Sequence, residues 1–189
     1  MNILHRRYCR SDEWREAVHR GMMPWVLGEM ALGAKVLEIG PGPGVTTDWL
    51  RKRVPSLSCI EIDRKLAGSL KERLEGSNVT VVEGDATAMP FPDASFDTAV
   101  CFTMLHHVPS RELQDRLLAE SYRVLKPGGV FTGSDSTPSF RWRLFHLFDT
   151  CVPADPETFA SRLETAGFVD TQIEKRPEYD TFKFLARKG

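Results

Sequence analysis

The chain has 189 residues, 41% hydrophobic, 10% aromatic and 27% charged, which suits one domain with a packed core and excludes a disordered chain. Twenty-five Lys and Arg against twenty-six Asp and Glu leave a net charge of −1, which argues against a global electrostatic grip on nucleic acid. The longest uncharged stretch, 98–110, is too short to span a bilayer, and no apolar run follows the early His5, Arg6, Arg7 and Arg10, so a soluble, cytoplasmic protein without a signal peptide is expected.

Residues 1–34 hold five arginines (Arg6, Arg7, Arg10, Arg15, Arg20) interleaved with Tyr8, Trp14 and Trp25, and read as an N-terminal helical cap. Lys35–Gly40 is a short apolar run ending in a Gly/Pro cluster, the pattern of a buried strand meeting a turn. Val45–Val54 carries Asp48 in its first turn and Arg51, Lys52 and Arg53 in its last, with Pro55 as the stop. That order predicts a helix whose charges complement its dipole. Leu57–Ile62 is a second strand, and the helix after it opens at Asp63, aligns Leu66, Leu70 and Leu74, and closes at Gly76.

Val79–Gly84 and Phe96–Met104 read as the third and fourth strands, with the Pro-rich loop Met89–Ala94 between them. Ser110–Leu125 has helical spacing through Leu113, Leu117, Ser121 and Val124, and Pro127-Gly128-Gly129 then launches a fifth strand, Val130–Ser134. Asp155-Pro156 starts a helix with Pro at its first position, and Gly167 closes it. Val169–Lys175 and Thr181–Ala186 predict a closing hairpin. Alternating strands and helices on short loops imply right-handed crossovers, hence an α/β fold with a mostly parallel sheet covered on both faces. Ligands of such sheets bind beyond the carboxyl ends of the strands.

Those ends carry the informative residues. The first closes on Glu38-Ile39-Gly40-Pro41-Gly42-Pro43-Gly44, where three alternate glycines allow a sharp turn and a close backbone approach to a ligand. The second ends at Glu61, whose carboxylate can accept from both hydroxyls of a ribose. The third ends Gly84-Asp85-Ala86, where Asp85 can accept from an exocyclic amine and the Ala86 amide can meet a ring nitrogen. Together they outline an adenosine-shaped slot. A dinucleotide fingerprint would need a small residue at position 45, which is Val45, and Glu38 would repel a pyrophosphate. Cys9, Cys59, Cys101 and Cys151 form no CxxC pair, and His5 with Cys9 is too small a set for a metal, so neither disulfide nor metal is expected.

Residues 36–50 (VLEIGPGPGVTTDWL), 59–63 (CIEID), 83–107 (EGDATAMPFPDASFDTAVCFTMLHH) and 123–131 (RVLKPGGVF) resemble the class I S-adenosylmethionine-dependent methyltransferases, more narrowly their small-molecule "type 11" branch. The resemblance implies a Rossmann-like seven-stranded sheet in the order 3-2-1-4-5-7-6 with strand seven antiparallel. The same likeness implies a single domain over 1–189, with a cofactor-binding core at 35–135 and a closing helix and strand pair at 156–189. It also implies that S-adenosyl-L-methionine is the cofactor. Gly40, Gly42 and Gly44 would line its methionine end with Glu38 anchoring their loop, Glu61 and Ile62 would hold the ribose, Asp85 and Ala86 would frame the adenine, and Phe102 would lie near the sulfonium.

Methyl transfer from a sulfonium needs in-line positioning and exclusion of water, and an oxygen or nitrogen acceptor can also need a base. His106, His107 and Asp135 are the candidates at strand ends, and no catalytic base is assigned among them. Asp63 competes with Glu61 for the ribose and reads better as a helix N-cap. Residues 139–152, within a possible lid at 138–155, place Phe140, Leu144, Leu147 and Phe148 near helical spacing. With the N-terminal segment they suggest a cover for a small apolar or aromatic acceptor, or else an ordinary amphipathic helix. Glu38–Leu50 and Glu61–Leu66 also resemble ribosomal-RNA adenine dimethylases, but Cys101-Phe102-Thr103-Met104 stands where those enzymes have an Asn-Pro-Pro-Tyr-type motif. No nucleic-acid partner is expected. A non-catalytic cofactor-binding protein on the same fold is the remaining alternative.

Overall fold

A computed structural model describes residues 8–9, 11–138 and 151–189. The expected lid therefore lies outside the described residues except for its ends, as does His5. Seven strands form one sheet: β1 (Lys35–Ile39), β2 (Ser56–Glu61), β3 (Val79–Glu83), β4 (Phe96–Phe102), β5 (Leu125–Ser136), β6 (Phe168–Arg176) and β7 (Thr181–Lys188). Their order is β3-β2-β1-β4-β5-β7-β6. β1 to β5 run parallel, and β7 pairs antiparallel with both β5 and β6. The order reverses between β1 and β4, which opens a crevice at their carboxyl ends.

Helices cover both faces because the buried strands are apolar on both sides. On one face lie α1 (Asp12–Glu16), a π-helical segment (Ala17–Met22), α2 (Met23–Leu27), α3 (Val45–Leu50) and α4 (Arg64–Arg73). Their Val18, Met23, Leu27, Val45, Leu50 and Leu70 pack on Val36, Leu57 and Val100 of the sheet. On the other face, α5 (Arg111–Val124) and α6 (Pro156–Thr165) bring Leu117, Leu118, Phe159 and Leu163 onto Leu37, Ala99, Phe131 and Phe184. Phe184 is the hub there, with ring centroids 4.9 Å from Phe131 and 5.1 Å from Phe159. Each such fully buried ring contributes about 1.5–3 kcal/mol of hydrophobic stabilisation.

Two expected boundaries shift by four or five residues. The first crossover helix ends at Leu50 rather than Val54, and Arg51 to Arg53 form a turn, with the Arg53 guanidinium donating to the Trp49 carbonyl at 3.0 Å and covering its ring. β5 begins at Leu125, not Val130, because Leu125 pairs with Phe96 across a register shift that absorbs the Pro-Gly-Gly turn. The N-caps fall where expected: Asp63, Ser110 and Asp155 each accept amides of the first turn.

Candidate active site

A cavity of about 730 Å³ opens at the carboxyl ends of β1 to β4, within the range of small-molecule sites. Its floor is the turn after β1, where Gly40, Gly42 and Gly44 have φ of 67°, 55° and 86°. Only glycine adopts such backbone without strain. The three serve different ends. A Cβ on Gly40 would fall 2.4 Å from Met104 Cγ, so its bare backbone lets the segment after β4 close against β1. Gly42 faces open space. Gly44, expected at the methionine end, abuts Leu70 and Arg73 of α4 and is not among the residues that line the cavity.

Glu38 is likewise behind the wall and not in it. It is 1% exposed and accepts from the Thr46 hydroxyl, the Thr47 hydroxyl at 2.6 Å and the Cys59 thiol at 3.4 Å. Burial pushes its carboxyl pKa up, against the pull of those three donors. Its carboxyl group ties β1 and β2 to the start of α3.

Glu61 closes β2 and does line the cavity. Its Oε2 accepts from the Gly42 amide at 2.9 Å and its Oε1 from the Asp63 amide at 2.9 Å. Each carboxylate oxygen keeps a further lone pair, enough for a vicinal diol. Asp63 spends Oδ1 on the amides of Lys65 and Leu66, at 2.9 and 3.2 Å, as an N-cap does. Ile62, 70% exposed, offers an apolar surface at the rim. After β3, Asp85 accepts the Thr87 amide at 2.8 Å and Ala86 packs on the core, both lining the cavity. The loop beyond is clamped by Arg123 of α5, which donates to the carbonyls of Met89 and Phe91 at 3.0 and 2.8 Å.

Across the crevice, Phe102 ends β4 and is 5% exposed on the wall. Thr103 follows with φ of 48°, held by its amide donating to the Ser134 carbonyl at 2.7 Å. A left-handed threonine costs about 1–2 kcal/mol, and its position on the cavity wall is where such strain is commonly kept. No sequence signal marks it. The turn Leu105–His107 then brings His106 against Asp135 of β5, 29 residues apart: the His106 amide donates to Asp135 Oδ2 at 3.0 Å and its Nδ1 bonds Oδ1. His107 lies beside His106 with ring centroids 4.2 Å apart. Tyr8, Trp14, Met104, Leu113 and Leu117 supply the apolar remainder, and sequence reasoning named only the first two as part of a cover.

Among the described lining residues there are three carboxylates (Glu61, Asp63, Asp85) and no Lys or Arg. A pyrophosphate finds no countercharge there, whereas a cationic sulfonium with a diol and an adenine finds acceptors at each point. The residues fit S-adenosylmethionine.

Residues 37–132 match the family model described as a methyltransferase domain. The chain is 29% identical over 147 residues to the 2-methyl-6-phytyl-1,4-hydroquinone methyltransferase 1 of Oryza sativa subsp. japonica, covering 76% of this chain and 43% of that protein. It is 27% identical over 191 residues to the ubiquinone/menaquinone biosynthesis C-methyltransferase of Cereibacter sphaeroides, covering 93% of this chain and 71% of that one. Thus the chain spans under half the length of the rice relative. An S-adenosylmethionine-dependent methyltransferase structure from Aquifex aeolicus superposes with a TM-score of 0.77 at 20% identity over 100% of both chains, which shows the fold. With half of its length matched by the family model and the sheet order to go with it, the chain belongs to the class I S-adenosylmethionine-dependent methyltransferases.

Proposed function

We propose that this chain binds S-adenosylmethionine in the crevice and transfers its methyl group to a small, uncharged, apolar or aromatic acceptor. The observation that carries this reading is Glu61, a carboxylate at the end of β2 that faces the cavity while holding the glycine turn through the Gly42 amide. In it, Glu61 and Ile62 hold the ribose, Asp85 and Ala86 the adenine, Gly40 and Gly42 the methionine end, and Phe102 stands near the sulfonium. Glu38 and Gly44 act one layer back, by fixing the loop. The bound cofactor supplies a methyl group already activated for displacement. The chain's own part is to align an acceptor with it and keep water out.

The acceptor reading rests on the apolar wall of Trp14, Met104, Leu113 and Leu117 and on the lack of Lys or Arg among the described lining residues. Relatives named for hydroquinone and ubiquinone or menaquinone methylation support a ring-bearing acceptor. The same acidic lining disfavours an RNA substrate, whose phosphates need basic partners. Cys9, Cys59, Cys101 and Cys151 form no disulfide, which supports action in a reducing compartment such as the cytoplasm. No helix among the described residues is long and apolar enough to cross a membrane.

Calorimetric titration with S-adenosylmethionine, S-adenosylhomocysteine and NAD tests the cofactor, followed by transfer of a labelled methyl group to a panel of hydroquinones, amines and thiols. Selective binding of the first two and label on any small acceptor is the expected result. Preference for NAD overturns the reading, and binding without transfer to any acceptor leaves a non-catalytic binding protein in its place.

A further inference from the structure

We infer that the hydroxyls of Thr103 and Ser136 form a subsite for a neutral oxygen, a hydroxyl or a carbonyl, carried by the acceptor molecule. The inference rests on the methyl-transfer reading above and deepens it, from an apolar or aromatic acceptor to one that bears such an oxygen.

The φ of Thr103, 48°, is left-handed backbone, which a β-branched residue adopts only where its surroundings impose it. The bond from its amide to the Ser134 carbonyl, at 2.7 Å, imposes it here by drawing the chain off the end of β4 toward β5. Glycine makes such a turn without strain, and this chain uses glycine at positive φ at Gly40, Gly42 and Gly128. Strain of this kind on a cavity wall points to a side chain kept for use. Thr103 is half-buried on that wall between Phe102 and Met104, which also line it. Its amide is engaged by Ser134, while its hydroxyl makes no hydrogen bond among the described residues.

The end of β5 supplies the second hydroxyl. Ser136 is half-buried on the same cavity, its amide donates to Asp135 Oδ1 at 2.6 Å, and its hydroxyl likewise has no bond among the described residues. Ser134 pairs with Phe102 in the β4–β5 ladder, so Thr103 and Ser136 leave adjacent strands just past that last pair. The Ser134 hydroxyl is itself fully buried with no partner, a state that costs stability and calls for a reason. Strand alternation puts it on the same sheet face as Ser136. Further back in β5 the Thr132 hydroxyl is satisfied, donating to the Phe184 carbonyl at 2.7 Å. Hydroxyls left open therefore gather only toward the carboxyl end of this strand, beside the cavity.

A hydroxyl can both donate and accept, which suits an uncharged oxygen. An anionic oxygen would seek Lys or Arg, and the described lining holds neither. An ammonium would go to the carboxylates of the lining, Glu61, Asp63 and Asp85, which follow β2 and β3 on the far side of β1. Asp135, between the two serines, is fully buried and already accepts from the His106 amide, the His106 ring and the Ser136 amide. Met104, Leu113 and Leu117 remain for the apolar body of the acceptor.

The test uses the full chain with S-adenosylhomocysteine bound and two probes of similar shape, 4-fluorophenol and 4-fluorotoluene, titrated by fluorine NMR. Both are uncharged at neutral pH, and only the first bears a hydroxyl. The readout is the ratio of their affinities, which cancels changes in cavity size. Thr103→Gly removes a hydroxyl and relaxes the backbone, Ser136→Ala removes a hydroxyl alone, and Thr103→Ser keeps one. The ratio, phenol over toluene, should fall about three- to tenfold in Thr103→Gly and in Ser136→Ala, the worth of one neutral hydrogen bond. In Thr103→Ser it should stay at the wild-type value. Affinity for S-adenosylhomocysteine by calorimetry should not change, and the urea midpoint of Thr103→Gly should be no lower than that of wild type.

The same ratio in wild type, Thr103→Gly and Ser136→Ala overturns the inference, as does a wild-type chain that binds neither probe. Weaker S-adenosylhomocysteine binding in either hydroxyl variant would assign these groups to the cofactor and overturns it as well. A Thr103→Gly chain that is less stable than wild type, with its ratio unchanged, makes Thr103 a structural residue. If wild type binds S-adenosylhomocysteine and fails only the probe comparison, this inference falls and the methyl-transfer reading stands. If wild type binds neither S-adenosylmethionine nor S-adenosylhomocysteine, that reading has failed and the subsite falls with it.

Discussion

The amide of Gly42 and the carboxylate of Glu61, 19 residues apart in the chain, are joined by a 2.9 Å hydrogen bond. That bond clips the glycine turn after β1 to the end of β2, so the two loops that border the cofactor crevice are positioned by each other. Glu61 is thus both a wall of the site and the fastener of its floor. The two duties can be separated experimentally.

Replacing Glu61 by Ala removes the acceptor for the Gly42 and Asp63 amides along with the proposed ribose contact. Affinity for S-adenosylmethionine should fall about 10–100-fold, since hydrogen bonds to a charged group are worth roughly 1.5–3 kcal/mol. Glu61→Gln retains one accepting oxygen and should lose less. Calorimetry on the two variants measures both values, and equal affinity in Glu61→Ala and wild type would dismiss the ribose assignment.

Asp63, two residues on, should behave in the opposite way. Its Oδ1 caps α4 through the Lys65 and Leu66 amides. Asp63→Ala should lower unfolding stability by about 1 kcal/mol in urea titration while changing cofactor affinity less than Glu61→Ala does. A larger loss of affinity at Asp63 would exchange the roles assigned to the two carboxylates.

Glycines in this chain are not equivalent, and two alanine variants should show it. At Gly133 a Cβ would lie 1.8 Å from the Cys101 carbonyl oxygen of the neighbouring strand. No rotamer relieves a clash with backbone, so Gly133→Ala should fail to give a folded protein. Gly42→Ala meets nothing within 4 Å and suffers only its φ of 55°, a cost of about 1–2 kcal/mol. It should fold, with a lower melting temperature and weaker cofactor binding.

Glu38 offers a pH signature. Because burial raises its folded carboxyl pKa above the unfolded value, the folded state favours the protonated group. Its contribution to stability is full below the unfolded carboxyl pKa and is lost as pH rises through the raised folded value. Glu38→Gln imitates the protonated form and removes this dependence. The stability difference, variant minus wild type, should grow as pH rises above the ordinary carboxylate range and level off once the pH has passed the raised folded value, as read from urea midpoints. A difference independent of pH would mean that Glu38 does not titrate across this range.

Most of the sheet was legible because its strands advertise themselves as short apolar runs that end in turn residues, as at Ile39-Gly40 and Glu83-Gly84. The helix caps at Asp63, Ser110 and Asp155 were legible for the same local reason. What failed was whatever depends on a neighbour in space. Leu125 joins β5 only because Phe96 waits across from it. The glycines at 40, 42 and 44 look alike in sequence and differ only in what faces them: Met104, open space, and the Leu70–Arg73 surface. His106 and Asp135 were each visible as strand-end candidates, but their pairing is a product of the β4–β5 crossover. Thr103 left no trace, since its left-handed backbone is imposed by the Ser134 carbonyl.

The contact of Met104 with the bare backbone of Gly40 has a consequence for how such a chain can diversify. In the function proposed here, the adenosine half of the crevice is written by β1, β2 and β3, while the acceptor half comes from the segment after β4, from α5 and from the N-terminal aromatics. Met104 against Gly40 is a seam between the two halves at the crevice floor. Changes at Trp14, Leu113 or Leu117 can therefore reshape what is methylated without disturbing the source of the methyl group. A change at Met104 is transmitted to both, so the freedom to acquire new acceptors is greatest away from that residue and smallest at it.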